Sequence, residues 1–233
     1  MTKRHFQTTA LLLTAFAVFI LATGFRQNAG SMALVFKIIQ DVTKKTSTAD
    51  WTKALKGENL TSGDQVKTGS RSLAIVKFLD NSILRVREQS VLTVSGEGSR
   101  GFQVKTIQLN AGSFGFEVKK QRQDEQFRLT SPTSVASIRG TKGKWSGGTG
   151  RDTLVVGEGL VNLKNSVSNK DLDVPAGYIG FSNEDGSIAS RRATAEELAD
   201  ANAAATGGSQ NELNLELKDA KGNHKALKLK YHR

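Results

Sequence analysis

Gly63-Asp64-Gln65-Val66-Lys67-Thr68-Gly69-Ser70 is followed by Leu73-Ala74-Ile75-Val76-Lys77-Phe78, Asp80-Asn81-Ser82 and Ile83-Leu84-Arg85-Val86 with almost no spacer. Short apolar runs alternate here with Gly, Asp, Asn and Ser, the residues that build tight turns. The same grammar extends in both directions. LVFKII (34–39) precedes it; VLTVS (91–95), VKTIQL (104–109), SFGFEV (113–118), FRLTS (127–131), SVASI (134–138), TLVVGEG (153–159), LVNLK (160–164) and YIGFS (178–182) follow. Nothing in this stretch keeps a 3.6-residue apolar period, which excludes a doubly wound α/β fold. The expected architecture is all-β, a body of stacked short strands that is solenoid-like or a sandwich, over residues 34–185.

Around Arg192 the composition changes. ATAEELADANAAA (193–205) is rich in helix formers; Thr194 with Glu197 makes a capping box, and Gly207-Gly208 stop the helix. Residues 186–211 therefore read as a linker and short helix, and 212–233 as a β-hairpin. In the hairpin Leu213, Leu215 and Leu217 share one face, as do Leu227, Leu229 and Tyr231. Pairing Leu217 with Leu227 sets Glu216 opposite Lys228, around a turn at Lys221-Gly222-Asn223. An isolated hairpin is marginal in water, so the leucine face must dock, on its own body or on a partner.

The N-terminus reads as an export signal. Lys3, Arg4 and His5 precede a charge-free run from Phe6 to Phe25 with a strongly apolar centre at Ala10–Ala22. Small residues suited to cleavage follow at Ala22-Thr23-Gly24 and at Ser31-Met32-Ala33. Residues 1–33 are accordingly a signal peptide or, uncleaved, an N-terminal membrane anchor, with Lys3 and Arg4 on the cytoplasmic side. Either way the rest of the chain is extracytoplasmic, in the periplasm or cell envelope.

Composition removes whole classes of chemistry. The 233 residues hold no cysteine and only three histidines, so disulfides, thiol nucleophiles and cysteine metal sites are impossible and a His-based triad is disfavoured. The net charge of +11 is uneven: residues 34–150 carry 19 basic and 10 acidic side chains, whereas 151–211 carry 5 and 9. Such a basic body can meet anionic lipid head groups, wall polymer or an acidic protein. Export argues against nucleic acid, and no aromatic residues interleave the cations as a single-strand binder needs. The densest basic cluster is Lys119, Lys120 and Arg122. Gly147-Gly148-Thr149-Gly150 reads as a hairpin tip, and Asp171 with Asp173 as a solvated acidic face. The sequence shows no cofactor or metal motif and no catalytic constellation.

One ordered set of motifs is more specific. It runs through Gly57-Glu58-Asn59-Leu60, Gly63-Asp64-Gln65-Val66-Lys67-Thr68-Gly69, Asp80-Asn81-Ser82 and Leu109-Asn110-Ala111-Gly112-Ser113-Phe114. Thr130-Ser131-Pro132, Arg139-Gly140-Thr141, Gly157-Glu158-Gly159-Leu160-Val161 and Ala176-Gly177 continue it. This order closely resembles the FecR domain family, with Asn81 where the family's D-G-S turn has Gly, a change Asn tolerates in the left-handed conformation. The resemblance implies an extracytoplasmic sensor domain. In the best-known members it is joined through one membrane span to a cytoplasmic anti-sigma region, for which the five residues before the apolar run leave no room.

The expectation is thus a non-enzymatic exported protein, an interaction module in bacterial envelope sensing or assembly with an envelope protein as partner. A basic domain that binds anionic wall polymer or lipid head groups is the alternative. The contact residues expected are Leu213, Leu215, Leu217, Leu227 and Leu229 on the hairpin, with Arg139 as an anion contact in a groove.

Overall fold

A computed structural model describes residues 30–98, 104–148, 150–207, 211–218 and 224–231. The chain is all-β with one short helix: nineteen strands and helix α1 (Ala195–Thr206) among the described residues. Strands β1–β17 are linked by pairing, and they divide into two sheets. Sheet A runs β4 (Asn59–Leu60), β1 (Ala33–Ile39), β6 (Leu73–Phe78), β7 (Ile83–Val86), β9, β12 (Thr141–Gly147), β13 (Arg151–Glu158), β16 (Tyr178–Asn183), β17 (Ile188–Arg192). Sheet B runs β3 (Thr52–Lys53), β2 (Val42–Lys45), β5 (Gln65–Thr68), β8 (Val91–Glu97), β9, β10 (Gln126–Thr130), β11 (Ser134–Ile138), β14 (Leu160–Asn165), β15 (Asp171–Pro175). The chain keeps switching between them, and among the described residues only β9 with β10 is a parallel pair.

Strand β9 (Val104–Val118) belongs to both sheets. Its first half pairs with β8 and β10, its second with β7 and β12. The sequence reads it as two strands, VKTIQL and SFGFEV; the crossover is at Gly112, whose φ of 95° only glycine adopts without strain. There a side chain would also collide with Ser90, 2.2 Å from its Oγ. One core fills the space between the sheets, with Val76, Leu84, Phe114 and Phe116 from A against Leu92, Ile107, Leu129 and Leu163 from B. Phe78 and Phe127 meet across it edge to face, 5.3 Å between ring centroids.

Strand β12 escapes the strand signals because TKGKWSG has no aliphatic run. Its inward positions are Thr141, Gly143 and Trp145, all buried. A Cβ on Gly143 would lie 2.8 Å from the Phe116 ring, so the glycine there leaves space for an aromatic neighbour. Strand β17 lies in the stretch read as linker; its residues are mostly exposed and give no alternation to detect.

Helix α1 forms as its sequence dictates. Thr194 Oγ1 accepts from Glu197 N–H and the Glu197 carboxylate from Thr194 N–H, with Gly207 closing the C-terminus at φ 81°. It packs on the outer face of sheet A through Ala201, Leu198 and Ala193 against Val155, Ile179 and Phe181.

β18 (Asn211–Lys218) and β19 (His224–Tyr231) form the expected hairpin in a different register. Leu215 stands opposite Leu227 and Leu213 opposite Leu229, so Glu216 faces Ala226, not Lys228. The observed register carries the ladder to Lys218 opposite His224 and is offset by two residues from the expected one, so the alternation of faces is kept. The turn at Lys221-Gly222-Asn223 lies outside the described residues, as do the leader through residue 29 and the hairpin's side-chain surroundings.

Candidate functional site: a basic groove at one end of the sandwich

The conspicuous polar residues of the motif are turned inward and used there. Asp64, buried, accepts from Thr61 N–H and Oγ1 (2.9 and 3.2 Å) and lies 3.3 Å from Lys44 Nζ. Lys44, also buried, pairs with Glu58 at 3.2 Å and donates to the Asn59 carbonyl at 2.7 Å. Charges so enclosed persist only when paired and hydrogen-bonded in this way. Asp80 repeats the arrangement: Lys105 Nζ (2.8 Å) and Gln121 Nε2 (3.0 Å) donate to one oxygen and Ser82 N–H (2.8 Å) to the other. Burial opposes the charge on Asp80, but these three donors outweigh it and hold its carboxyl below the usual range. Asn81 adopts φ 64°, the left-handed turn expected of it.

A third buried acid gave no sequence signal. Asp152 accepts from the hydroxyls of Ser131, Thr133 and Ser134, and the missing side chain of Gly147 makes room for its other oxygen. The three donors lie together in Ser131–Ser134, the one part of this site that is contiguous in sequence.

Arg139 stays outside. At Arg139-Gly140 the chain leaves sheet B for sheet A, turning through φ 69° at Gly140. The glycine serves that left-handed turn, where a Cβ would make only ordinary contacts with Lys120 at 3.5–3.8 Å; the close backbone approach here is made by Gly159, whose Cβ would lie 2.8 Å from the Gly140 carbonyl oxygen. Arg139 lines a groove of about 440 Å³ with Arg122, Glu125 and Arg128. Arg122 Nε is 3.5 Å from Asp124 Oδ1, Arg128 Nη2 donates to Gln126 Oε1 at 2.5 Å, and Arg139 has no ion pair among the described residues. The structure thus brings together two features the sequence kept apart, Arg139 and the Lys119–Arg122 cluster. Planar guanidinium forks at such a groove suit carboxylate or phosphate oxygens.

The other features behave as solvated surface. Asp171 and Asp173 are exposed and both accept from Asn162 Nδ2 (2.9 and 3.0 Å). No group of three His, Asp or Glu among the described residues could hold a metal ion. Leu213, Leu215, Leu217, Leu227 and Leu229 occupy the hairpin strands, where their side-chain contacts lie outside the described residues.

Comparison with known proteins agrees with this frame. Residues 64–162 match the family model described as FecR protein. Two crystal structures of candidate anti-sigma factors from Parabacteroides distasonis share the fold. One has a TM-score of 0.51 at 12% identity over 68% of this chain and 70% of that one. The other has a TM-score of 0.50 at 11% identity, over 66% and 67%. No curated protein matches the chain. The matched segment, Asp64 to Asn162, spans the Asp64, Asp80 and Asp152 sites and the groove arginines, and over it the chain is similar to the FecR family.

Proposed function

We propose that this is an exported, non-enzymatic FecR-domain protein working as an interaction module in bacterial envelope sensing or assembly. The FecR match carries the reading, in a body whose motif acids are consumed by internal bonds and whose chemistry is therefore left to its surface. The contact surfaces are the outer edges of β15 and β17, each paired on one side among the described residues, together with Arg139 and the hairpin leucines. An added strand on such an edge takes affinity from backbone pairing and specificity from alternate side chains. The N-terminal run directs export. Met32 and Ala33 are buried in the core, so cleavage after Ala33 would strip the body of its first packed residues. A processed chain would begin at Phe25, after Ala22-Thr23-Gly24.

Chemical cross-linking in intact source cells, followed by capture and mass spectrometry, tests the reading. A specific envelope receptor, transporter or membrane regulator is expected, and it should be lost on replacing Leu215 and Leu229 with Lys while the body stays folded. Wall polymer or lipid alone, released by salt, would refute it.

The groove supports a second reading, recognition of an anionic polymer or lipid head group by Arg122, Arg128 and Arg139.

A further inference from the structure

The groove and the N-terminal tether lie at the same end of the sandwich. Met32, the first buried residue, accepts from Leu79 N–H at 3.2 Å, placing the exit of the leader beside the β6–β7 turn. That turn is joined to the basic loop: Ser82 Oγ accepts from Lys119 N–H (3.1 Å), and Asp80 from Gln121 Nε2 (3.0 Å). Lys120 in turn packs beside Gly140, next to Arg139. Two leucines protrude here, Leu79 at 68% and Leu160 at 52% exposure. The acids Asp80, Asp124 and Glu158 are paired with Lys105, Arg122 and Lys142, and Glu125, in the groove, accepts from the Arg122 backbone N–H at 3.3 Å. The opposite end, where β16 turns into β17, exposes Glu184 and Asp185 beside Arg151, with Arg71, Arg87 and Glu88 on the neighbouring turns, a mixed surface.

Only residues 26–31 separate the charge-free run from Met32, and six extended residues reach at most about 20 Å. We propose that, with the leader retained as an anchor, this end rests on an anionic bilayer. Leu79 and Leu160 enter the headgroup layer, and Lys120, Arg122 and Arg139 hold lipid phosphates. The geometry favours a bilayer over a soluble anion because exposed leucines accompany the cations, and apolar side chains with basic neighbours are what a charged lipid surface binds. The inference deepens the second reading above and depends on it; the protein partner stands or falls separately, by cross-linking.

The chain has no cysteine, so a single introduced one reports one position. Full-length protein carrying an environment-sensitive dye at Leu79→Cys, or at Glu184→Cys, is reconstituted in phosphatidylglycerol-containing and in pure phosphatidylcholine vesicles. The dye at 79 should shift to the blue and be quenched by spin-labelled lipid in phosphatidylglycerol, and the dye at 184 should remain in water. Lys120→Glu with Arg139→Glu should lower the docked-to-undocked ratio at least about thirtyfold, and about 1 M salt, with a Debye length of about 3 Å, should reverse the shift. Equal signals at 79 and 184, or a water-like dye at 79 in phosphatidylglycerol, would overturn the proposal. So would a shift indifferent to lipid charge and to the double reversal, which would reduce docking to tethering. A shift that needs an added envelope protein would assign the surface to that protein.

Discussion

On the outer side of sheet A, β9, β12, β13 and β16 lie beneath helix α1, whereas β1 and β6 present Phe36, half exposed, with Lys77 over its ring. Both regions are built from the same alternating strands, and their outward residues decide the difference. Under the helix these are Gly115, Val155, Gly157 and Ile179, small or apolar. At the other side they are Leu73, Ile75 and Lys77, with no glycine among them. Arg85 marks the border: its guanidinium donates to the Ala205 carbonyl in the last turn of α1. Burial lowers the pKa of that guanidinium, while nearby Glu117 works to raise it. The helix is seated where Gly115 and Gly157 let its backbone and Asn202 come close, beside the apolar Val155 and Ile179.

The largest effect should come from filling that space. A Cβ at Gly115 would stand 2.1 Å from the Ala204 carbonyl oxygen and 2.6 Å from Ala205 N, and neither backbone atom can yield without moving the helix. Gly115→Val should cost about 3 kcal/mol in urea unfolding, at the upper end of overpacking penalties. It should also release the Arg85 cap and the Lys144–Asp200 pair, now at 2.6 Å. A loss below about 1 kcal/mol would mean that the helix rests on the sheet without being locked to it.

Gly115 also shows where sequence reading stops. The strands from Leu73 to Val86 are legible because turn residues and alternation repeat at short range, and α1 because its capping box is local. The glycine of SFGFEV looks like any strand glycine until the helix ninety residues later is laid against it. Strand β12 is hidden for the same reason, since Gly143 makes sense only beside Phe116. The candidate site was half visible. Arg139 and the Lys119–Arg122 cluster each stood out, but their adjacency comes from the sheet switch at Gly140. Asp152 was invisible, because its partners lie eighteen or more residues away.

A smaller effect separates the start of α1 from its seat. Arg191 holds Glu197 with two hydrogen bonds, 2.9 and 2.7 Å, and with the Thr194 N–H it lowers the carboxyl to about 2. Because the folded value lies below the unfolded one near 4.5, this stabilisation is complete above that pH. It is lost as pH falls toward 2. Arg191→Gln should move the Glu197 midpoint, followed by carboxyl NMR, back toward the ordinary range and remove the acid loss, so that variant and parent converge at low pH. An unmoved midpoint would place the effect in the capping box instead. Thr194→Ala, which breaks the box, should cost about 1 kcal/mol by itself.

The smallest effect belongs to the open side and is the sharpest control. Lys77 Nζ lies 5.9 Å from the Phe36 ring centroid, and Arg191 holds a similar place over Phe181, 5.4 Å away, beside the helix. The geometry is alike and the surroundings are not: Arg191 is also tied to Glu197, whereas Lys77 makes no ion pair among the described residues. Lys77→Gln should therefore cost about 0.5 kcal/mol in urea unfolding, the worth of an exposed cation–ring contact, and show no pH dependence between 2 and 5. A cost of about 2 kcal/mol would show that β1 and β6 are covered in the folded chain. The contrast between the two sides would then be one between two occupants, with no open face remaining.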